Sequence, residues 1–275
     1  MNIQKLTKQL IESGIEVNEA KYEIKLLLEH FCNYTEKDCL LGKELTPEDL
    51  NLIEEKINER IKNKKPIQHI IGKAWFMGDF YKVSPDVLIP RDETEILVRK
   101  AIDVIKENSF EDVLDIGTGS GCIACSIAKY TNTTVLGIDI SSDALRIALD
   151  NVTNLGINNR AIFRKSDLFD KIREGESFDV IISNPPYIPY GTTLSEEVMY
   201  DPATALFAEE NGLYYYRKII ENASNYLNKD GYLIFELGID ESESVKKMME
   251  KDFENIEIIK DLAGIDRVII GKLKS

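Results

Sequence analysis

Along residues 1–64 the apolar positions recur every three or four residues. Ile3, Leu6, Leu10 and Ile11 fall on one helical face, and Ile24, Leu27, Leu28 and Phe31 form a second stripe. At Thr46-Pro47-Glu48-Asp49 a hydroxyl precedes a proline and two acids. That is the chemistry of a helix start: the hydroxyl caps free N–H groups, proline has none to satisfy, and carboxylates meet the positive end of the dipole. Leu50, Ile53, Ile57 and Ile61 follow at helical spacing, and Lys62, Lys64 and Lys65 suit the C-terminal end. The segment predicts a small bundle of three or more helices.

Residues 66–90 change character. Aromatic and β-branched residues alternate between glycines and prolines, which predicts a β-hairpin linker over 65–90, with Trp75 expected to pack. From Thr94 onward helical and strand-like runs alternate. Helices are expected over 95–107, 122–130, 142–156 (with Gly156 as the cap), 213–227 and 244–253. Strands are expected over 112–117, 134–140, 161–167, 178–184, 232–238, 256–262 and 267–273. Short strands separated by helices imply an α/β unit, a mainly parallel sheet with helices on both faces. The last two strands are joined only by Ala263-Gly264-Ile265-Asp266, too short for a crossover, so that pair should be antiparallel.

Composition narrows the function. The chain has 275 residues, 43% of them hydrophobic, enough for a real core and for about two domains. Its formal net charge is −14, the wrong sign for gripping a phosphate backbone. Residues 1–84 carry 13 basic and 14 acidic side chains, so the excess of acids lies beyond them. Four cysteines (Cys32, Cys39, Cys122, Cys125) are too few for a disulfide scaffold of this size, and two histidines, His30 and His69, disfavour zinc or multi-imidazole chemistry. Neither an apolar leader nor a run of ~18 apolar residues is present, so a soluble, cytoplasmic protein is expected. The helical segment reads equally as a stabilising cap or as a docking module for a protein substrate.

Asp115-Ile116-Gly117-Thr118-Gly119-Ser120-Gly121 lies between an expected strand and an expected helix. Glycines there allow a tight turn and close approach of a nucleotide-like ligand to the backbone. The next strand ends at Asp139, a carboxylate ~20 residues on, where ribose hydroxyls are gripped in such folds. The GxGxG spacing and the acid at its head suit a ligand without phosphate that carries an ammonium group, S-adenosylmethionine, better than a dinucleotide. Cys122 and Cys125 are expected to pack on the sheet. In Ser166-Asp167-Leu168-Phe169, Asp167 would accept from an adenine amino group, and Leu168 or Phe169 would cover the ring or belong to the core.

The strand over 178–184 runs into Asn184-Pro185-Pro186-Tyr187. Two prolines fix φ and remove two N–H groups, making a stiff corner with outward carbonyls. A planar amide or aromatic amine has a delocalised lone pair and attacks poorly. The Asn184 side-chain oxygen and the Pro185 carbonyl would hold its two N–H bonds and aim the lone pair, while Tyr187 packs on the flat group.

These stretches resemble the release-factor glutamine methyltransferases. The likeness includes Gln68-His69-Ile70-Ile71-Gly72, Val87-Leu88-Ile89-Pro90-Arg91, Glu93-Thr94-Glu95, residues 115–121, Asp139-Ile140-Ser141, residues 183–188, Gly212-Leu213 and Asp266-Arg267-Val268. The resemblance implies a Rossmann-like class I methyltransferase sheet of seven strands with a helical N-terminal bundle and a β-hairpin linker. Here these would be a substrate-docking domain over 1–64, the linker over 65–90, and the S-adenosylmethionine-dependent domain over 91–275. It also implies methylation of the glutamine amide in the Gly-Gly-Gln motif of peptide chain release factors, in translation termination. Gly117, Thr118, Gly119, Ser120, Gly121, Asp139, Leu168 and Asn184 would then contact cofactor, and Asn184, Pro185, Pro186 and Tyr187 the substrate. No metal and no nucleic-acid or membrane partner is expected. Arg91 and Glu95 would lie in a stretch near the cofactor. Asp92 stands where the family usually has proline, Asp201 where it more often has glutamate, and Glu209 and Glu210 where it has glycines. Two other readings, an adenine amino-methyltransferase and a non-catalytic cofactor-binding scaffold, rank lower. The first wants a basic surface; the second leaves two intact motifs idle.

Overall fold

The structure, a computed structural model, describes residues 2–35, 37–38 and 41–275; Cys39 lies outside them. The chain divides into two compact units, Met1–Lys73 with Leu194–Tyr200, and Ala74–Thr193 with Asp201–Ser275.

The first unit contains α1 (Asn2–Glu12), α2 (Val17–Cys32), α3 (Pro47–Asn63) and α4 (Ile67–Ile71). The stripes read from the sequence do meet: Leu6, Leu10, Ile24, Leu27, Leu28, Ile53 and Ile57 are buried together, with Ile3, Ile11, Phe31, Leu50 and Ile61 at their rim. Thr46 caps α3, its hydroxyl oxygen accepting from the Asp49 N–H at 3.1 Å. One polar group lies inside this apolar cluster's border. Arg60, 3% exposed, bonds Glu23 through Nε at 3.0 Å and Glu197 of the 194–200 segment through an end nitrogen at 2.6 Å. A guanidinium so buried needs its fork filled by carboxylates, and here two supply it.

The hairpin begins later than the alternation implies. Residues 67–71 form a helical turn, because Ile67 and Ile71, four apart, both enter the helical core. Gly72, left-handed at φ 71°, closes it by donating to the Gln68 carbonyl. The hairpin itself is β1 (Lys73–Phe76) and β2 (Asp79–Lys82), turning through Met77 and Gly78 at φ 49° and 85°. Trp75 is half exposed, edge-on to Phe80 at 4.9 Å rather than in a core.

The second unit is a seven-stranded sheet. Its strands are β3 (Asp112–Ile116), β4 (Thr134–Asp139), β5 (Ala161–Lys165), β6 (Phe178–Ser183), β9 (Leu227–Glu236), β10 (Phe253–Lys260) and β11 (Asp266–Leu273). Two short strands, β7 (Ile188–Pro189) and β8 (Phe207–Ala208), pair apart from it. The spatial order is β10-β11-β9-β6-β3-β4-β5. β9, β6, β3, β4 and β5 run parallel, and the closing pair is antiparallel, with β11 inserted between β9 and β10. The helices are α5 (Thr94–Asn108), α6 (Cys122–Tyr130), α7 (Ser142–Asn154), α8 (Ala203–Leu206), α9 (Tyr214–Ala223) and α10 (Ser242–Met249). One apolar cluster joins the sheet to α5 and α6, with Cys122 and Cys125 inside it, and another joins it to α9 and α10. α9 ends at Ala223, four residues before the pattern implies. Tyr226 leaves the helix to stack on Phe169 at 4.6 Å, and its carbonyl accepts from Phe178 to start β9 at Leu227. No helix of the described residues is long and apolar enough to cross a membrane.

Candidate active site

Strand order reverses direction between β3 and β6: β4 and β5 lie to one side, β9 and β11 to the other. A crevice therefore opens at the carboxyl ends of these two strands, where sheets of this kind place ligands. It is an open cleft whose walls include Ile116, Ile138, Leu168, Pro185 and Ile219 with a few polar groups among them, the kind of lining usual for small-molecule sites. Of the residues expected from the sequence, Gly117, Gly119, Asp139, Asp167, Leu168, Asn184, Pro185 and Pro186 line it. Asp115, Thr118, Ser120, Gly121 and Tyr187 do not.

The glycine loop shows why. Gly117 and Gly119 have φ 73° and 54°; a Cβ on Gly117 would meet nothing within 4 Å, and one on Gly119 only the Gly117 carbonyl oxygen at 4.0 Å. Gly121 differs: its Cβ would stand 3.0 Å from both Ala148 and Phe163, so that glycine serves helix-to-sheet packing. Gly117 and Thr118 donate to the Ile138 carbonyl at 2.9 Å each. Asp139, at the end of β4, takes the Gly119 N–H on Oδ2 at 2.9 Å and the Ser141 N–H on Oδ1 at 2.8 Å. It thereby ties the loop to the start of α7. Burial raises its pKa, and those backbone donors oppose the rise. Asp115 is fully buried, with the Thr118 hydroxyl donating to its Oδ2 at 2.6 Å; burial pushes its carboxyl up to about 7.

After β5, Leu168 enters the cleft from a left-handed backbone at φ 43°, while Phe169 turns into the core. Ser166 stabilises this turn, donating to the Leu168 carbonyl at 2.6 Å. Of the two residues proposed to cover an adenine ring, the structure thus leaves Leu168 available.

The proline corner sits at the end of β6. The Ser183 hydroxyl donates to the Ile116 carbonyl at 2.7 Å, fixing the corner beside the glycine loop. Asn184 Nδ2 donates to the Thr94 hydroxyl at 3.3 Å. Behind Asn184, at the end of β9, lies Glu236, 3% exposed, whose carboxyl burial pushes up to about 7 against hydrogen bonds from Thr94 and Asn184. Tyr187 is half-buried beside two close-packed glycines. A Cβ on Gly212 would come within 2.3 Å of the Tyr187 carbonyl oxygen, and one on Gly238 within 2.9 Å of its ring. Ile188 and Pro189 pair with Phe207 and Ala208, stiffening the far side of the corner.

Glu236, Glu241 and Gly238 escaped the sequence reading, which named Thr94 and Gly212 within family-like stretches but gave them no role. The strand sequence Tyr232-Leu233-Ile234-Phe235-Glu236 did hold a signal: a lone acid at the carboxyl end of an apolar run. Glu95 does not reach the cleft; it accepts from the Met77 N–H at 2.7 Å and holds the hairpin. Arg91 pairs with the buried Asp201 at 2.5 Å. Glu210 and Asn211 adopt φ 56° and 55° just before Gly212, the left-handed backbone that glycines take without strain.

The lining suits a cationic ligand free of phosphate. It includes Asp86, Asp139 and Asp167 and no lysine or arginine, with open space over two glycines for backbone approach. No group of three or more His, Cys, Asp or Glu among the described residues could hold a metal.

The sheet order and a cleft built from the glycine loop, the acid that ends β4 and the proline corner define a Rossmann-like methyltransferase. In line with this, residues 107–270 match a family described as Methyltransferase domain, and residues 3–72 one described as PrmC N-terminal domain. The fold resembles the solved 16S rRNA N2 G1207 methyltransferase of T. thermophilus in complex with AdoMet and guanosine. That match has TM-score 0.55 and 16% identity, and covers 74% of this chain and 50% of that one. A release factor glutamine methyltransferase of Thermodesulfovibrio yellowstonii is 38% identical, covering 92% of this chain and 94% of the relative. One of Fusobacterium nucleatum is 40% identical, covering 84% and 67% respectively. The chain belongs to the release factor glutamine methyltransferase family.

Proposed function

We propose that this enzyme transfers a methyl group from S-adenosylmethionine to the side-chain amide nitrogen of the glutamine in the Gly-Gly-Gln motif of peptide chain release factors, in the cytoplasm, leaving S-adenosylhomocysteine. The observation that carries the reading is the shared cleft: Asn184, Pro185 and Pro186 line the same space as Gly117, Gly119 and Asp139. When bound, the cofactor supplies a methyl group made electrophilic by its sulfonium.

The chain's residues have separable tasks in this reading. Gly117 and Gly119 admit the ligand to the backbone, and Asp115, Thr118, Ser120 and Gly121 hold that loop from below. Asp139 has two lone pairs engaged by Gly119 and Ser141, which leaves acceptor capacity for ribose hydroxyls. Asp167 accepts from the adenine amino group and Leu168 covers the ring. Asn184 Oδ1 and the Pro185 carbonyl accept the two N–H bonds of the substrate amide, turning its lone pair toward the methyl carbon. Tyr187 packs against the flat amide from the corner. Catalysis is positioning together with polar stabilisation of N–H bonds that grow acidic as the new C–N bond forms; the proton leaves afterwards, and no histidine base is needed. Helices α1 to α3 are assigned the docking of the protein substrate.

The test is direct. The enzyme and S-adenosylmethionine are incubated separately with a release factor and with DNA, and added methyl groups are located by mass spectrometry. One methyl on the Gly-Gly-Gln glutamine is expected; transfer to DNA alone overturns the reading.

A further inference from the structure

We infer that Glu236 is a positioning residue that decides which end of the Asn184 side chain faces the substrate. The inference rests on the substrate reading above. An asparagine amide is nearly symmetric in shape, but only its oxygen can accept the substrate's N–H. Turned over, the same side chain would present donors to donors. Something behind the corner must therefore choose.

Two side chains stand there. Thr94 is buried at the start of α5 and accepts from Asn184 Nδ2 at 3.3 Å. A hydroxyl both donates and accepts, so Thr94 alone is content with either amide orientation. Glu236 is not. Ionised, as it is above about pH 7, its carboxyl can only accept, and the Thr94 and Asn184 side chains are its polar neighbours. Its Oε2 lacks a partner among the described residues, so the ionised group has acceptor capacity to spare. The carboxyl thus draws the Asn184 NH₂ inward, polarises Thr94 in the same sense, and leaves Oδ1 toward the cleft. The placement is built in: β6 and β9 are neighbouring parallel strands, and Ser183 pairs with Phe235. The residues that follow each, Asn184 and Glu236, therefore emerge side by side at one sheet edge.

Glu236→Gln is the test, since it keeps shape but can present an NH₂ to Asn184 Oδ1. Expected is a loss in kcat on a release factor of about tenfold or more. Cofactor Kd by calorimetry should stay within about threefold, and Tm should not fall. Glu236→Asp, which remains acceptor-only, should keep kcat within about threefold of wild type, a rescue that a merely structural role would not give. If Glu236→Gln fails to bind cofactor, Glu236→Leu, which removes the acceptor without adding a donor, replaces it with the same expected loss in kcat. Near-wild-type kcat in Glu236→Gln, or an equal loss in Glu236→Asp, overturns the inference while wild-type enzyme still methylates the release factor. Wild-type enzyme that transfers nothing to a release factor overturns the substrate reading and this one with it.

Discussion

Gly212→Ala tests whether the proline corner must stay where it is. The added methyl would lie 2.3 Å from the Tyr187 carbonyl oxygen and 2.4 Å from Glu241 Oε1. Glu241 can swing away; a backbone carbonyl cannot, and β7 pairing with β8 holds it from the other side. Ordinary carbon–oxygen contact is roughly 3.2–3.5 Å, so the corner must retreat by about 1 Å. Alanine at φ 94° adds about 1–2 kcal/mol of backbone strain. Together these predict a fold destabilised by about 2–4 kcal/mol, which calorimetric or optical melting would register. The larger effect should be on rate. Misplacement of a positioning group by about 1 Å costs on the order of a hundredfold. Gly117 and Gly119 lie in the loop after β3 and Asp139 ends β4, so cofactor affinity should change little. Single-turnover methylation of a release factor, measured beside cofactor calorimetry, separates the two. A variant with wild-type kcat would refute the idea that the corner's backbone position limits the reaction; one that loses cofactor binding in proportion to rate would refute the division of labour.

Asp139→Ala should weaken cofactor binding by about 1–3 kcal/mol, five- to about 150-fold in Kd; unchanged affinity in a titration would remove its assigned contact with the ribose. Asn184→Ala should abolish methyl transfer in a mass-spectrometric assay while calorimetry still reports bound cofactor, and substantial residual turnover would count against its role. Asp115, Glu236 and Glu241 each have carboxyls pushed up to about 7 by burial. The unfolded chain releases these protons near pH 4 to 4.5 and the folded one retains them to about 7. The stabilisation is therefore full below about pH 4 and is lost as pH rises toward 7. For these three groups, melting of the cofactor-free protein should show a lower Tm at pH 7.5 than at pH 6, with the decline absent in the Glu236→Gln, Glu241→Gln double variant's share.

The repeating parts of this molecule were legible because they follow periodicity. The stripes in α1, α2 and α3 bury as spaced, and the closing antiparallel pair follows from a link too short to cross over. What resisted reading depends on partners distant in sequence. Residues 67–71 look extended beside their glycines and prolines, yet Ile67 and Ile71 are claimed by the helical core. Phe169 and Leu168 are equivalent in composition, and only the left-handed backbone at Leu168 sends one to the cleft and the other to the core. Asp115 is the acid at the head of a recognisable loop, but its burial beneath Thr118 is a property of the packed sheet. Glu236 was hidden by its strand, whose pattern reads as ordinary interior until its last residue.

The seven residues from Leu194 to Tyr200 belong with the helices rather than with the sheet that flanks them in sequence. Tyr200 donates to the Asn63 carbonyl at 2.6 Å, and Glu197 fills one side of Arg60. The polypeptide consequently passes from one unit to the other three times, so no single cut separates them. An excised catalytic fragment beginning after Lys73 would carry a short stretch stripped of its anchors, spliced only a few residues beyond Tyr187. Slow turnover by such a fragment would then report a slackened corner as readily as a missing docking surface.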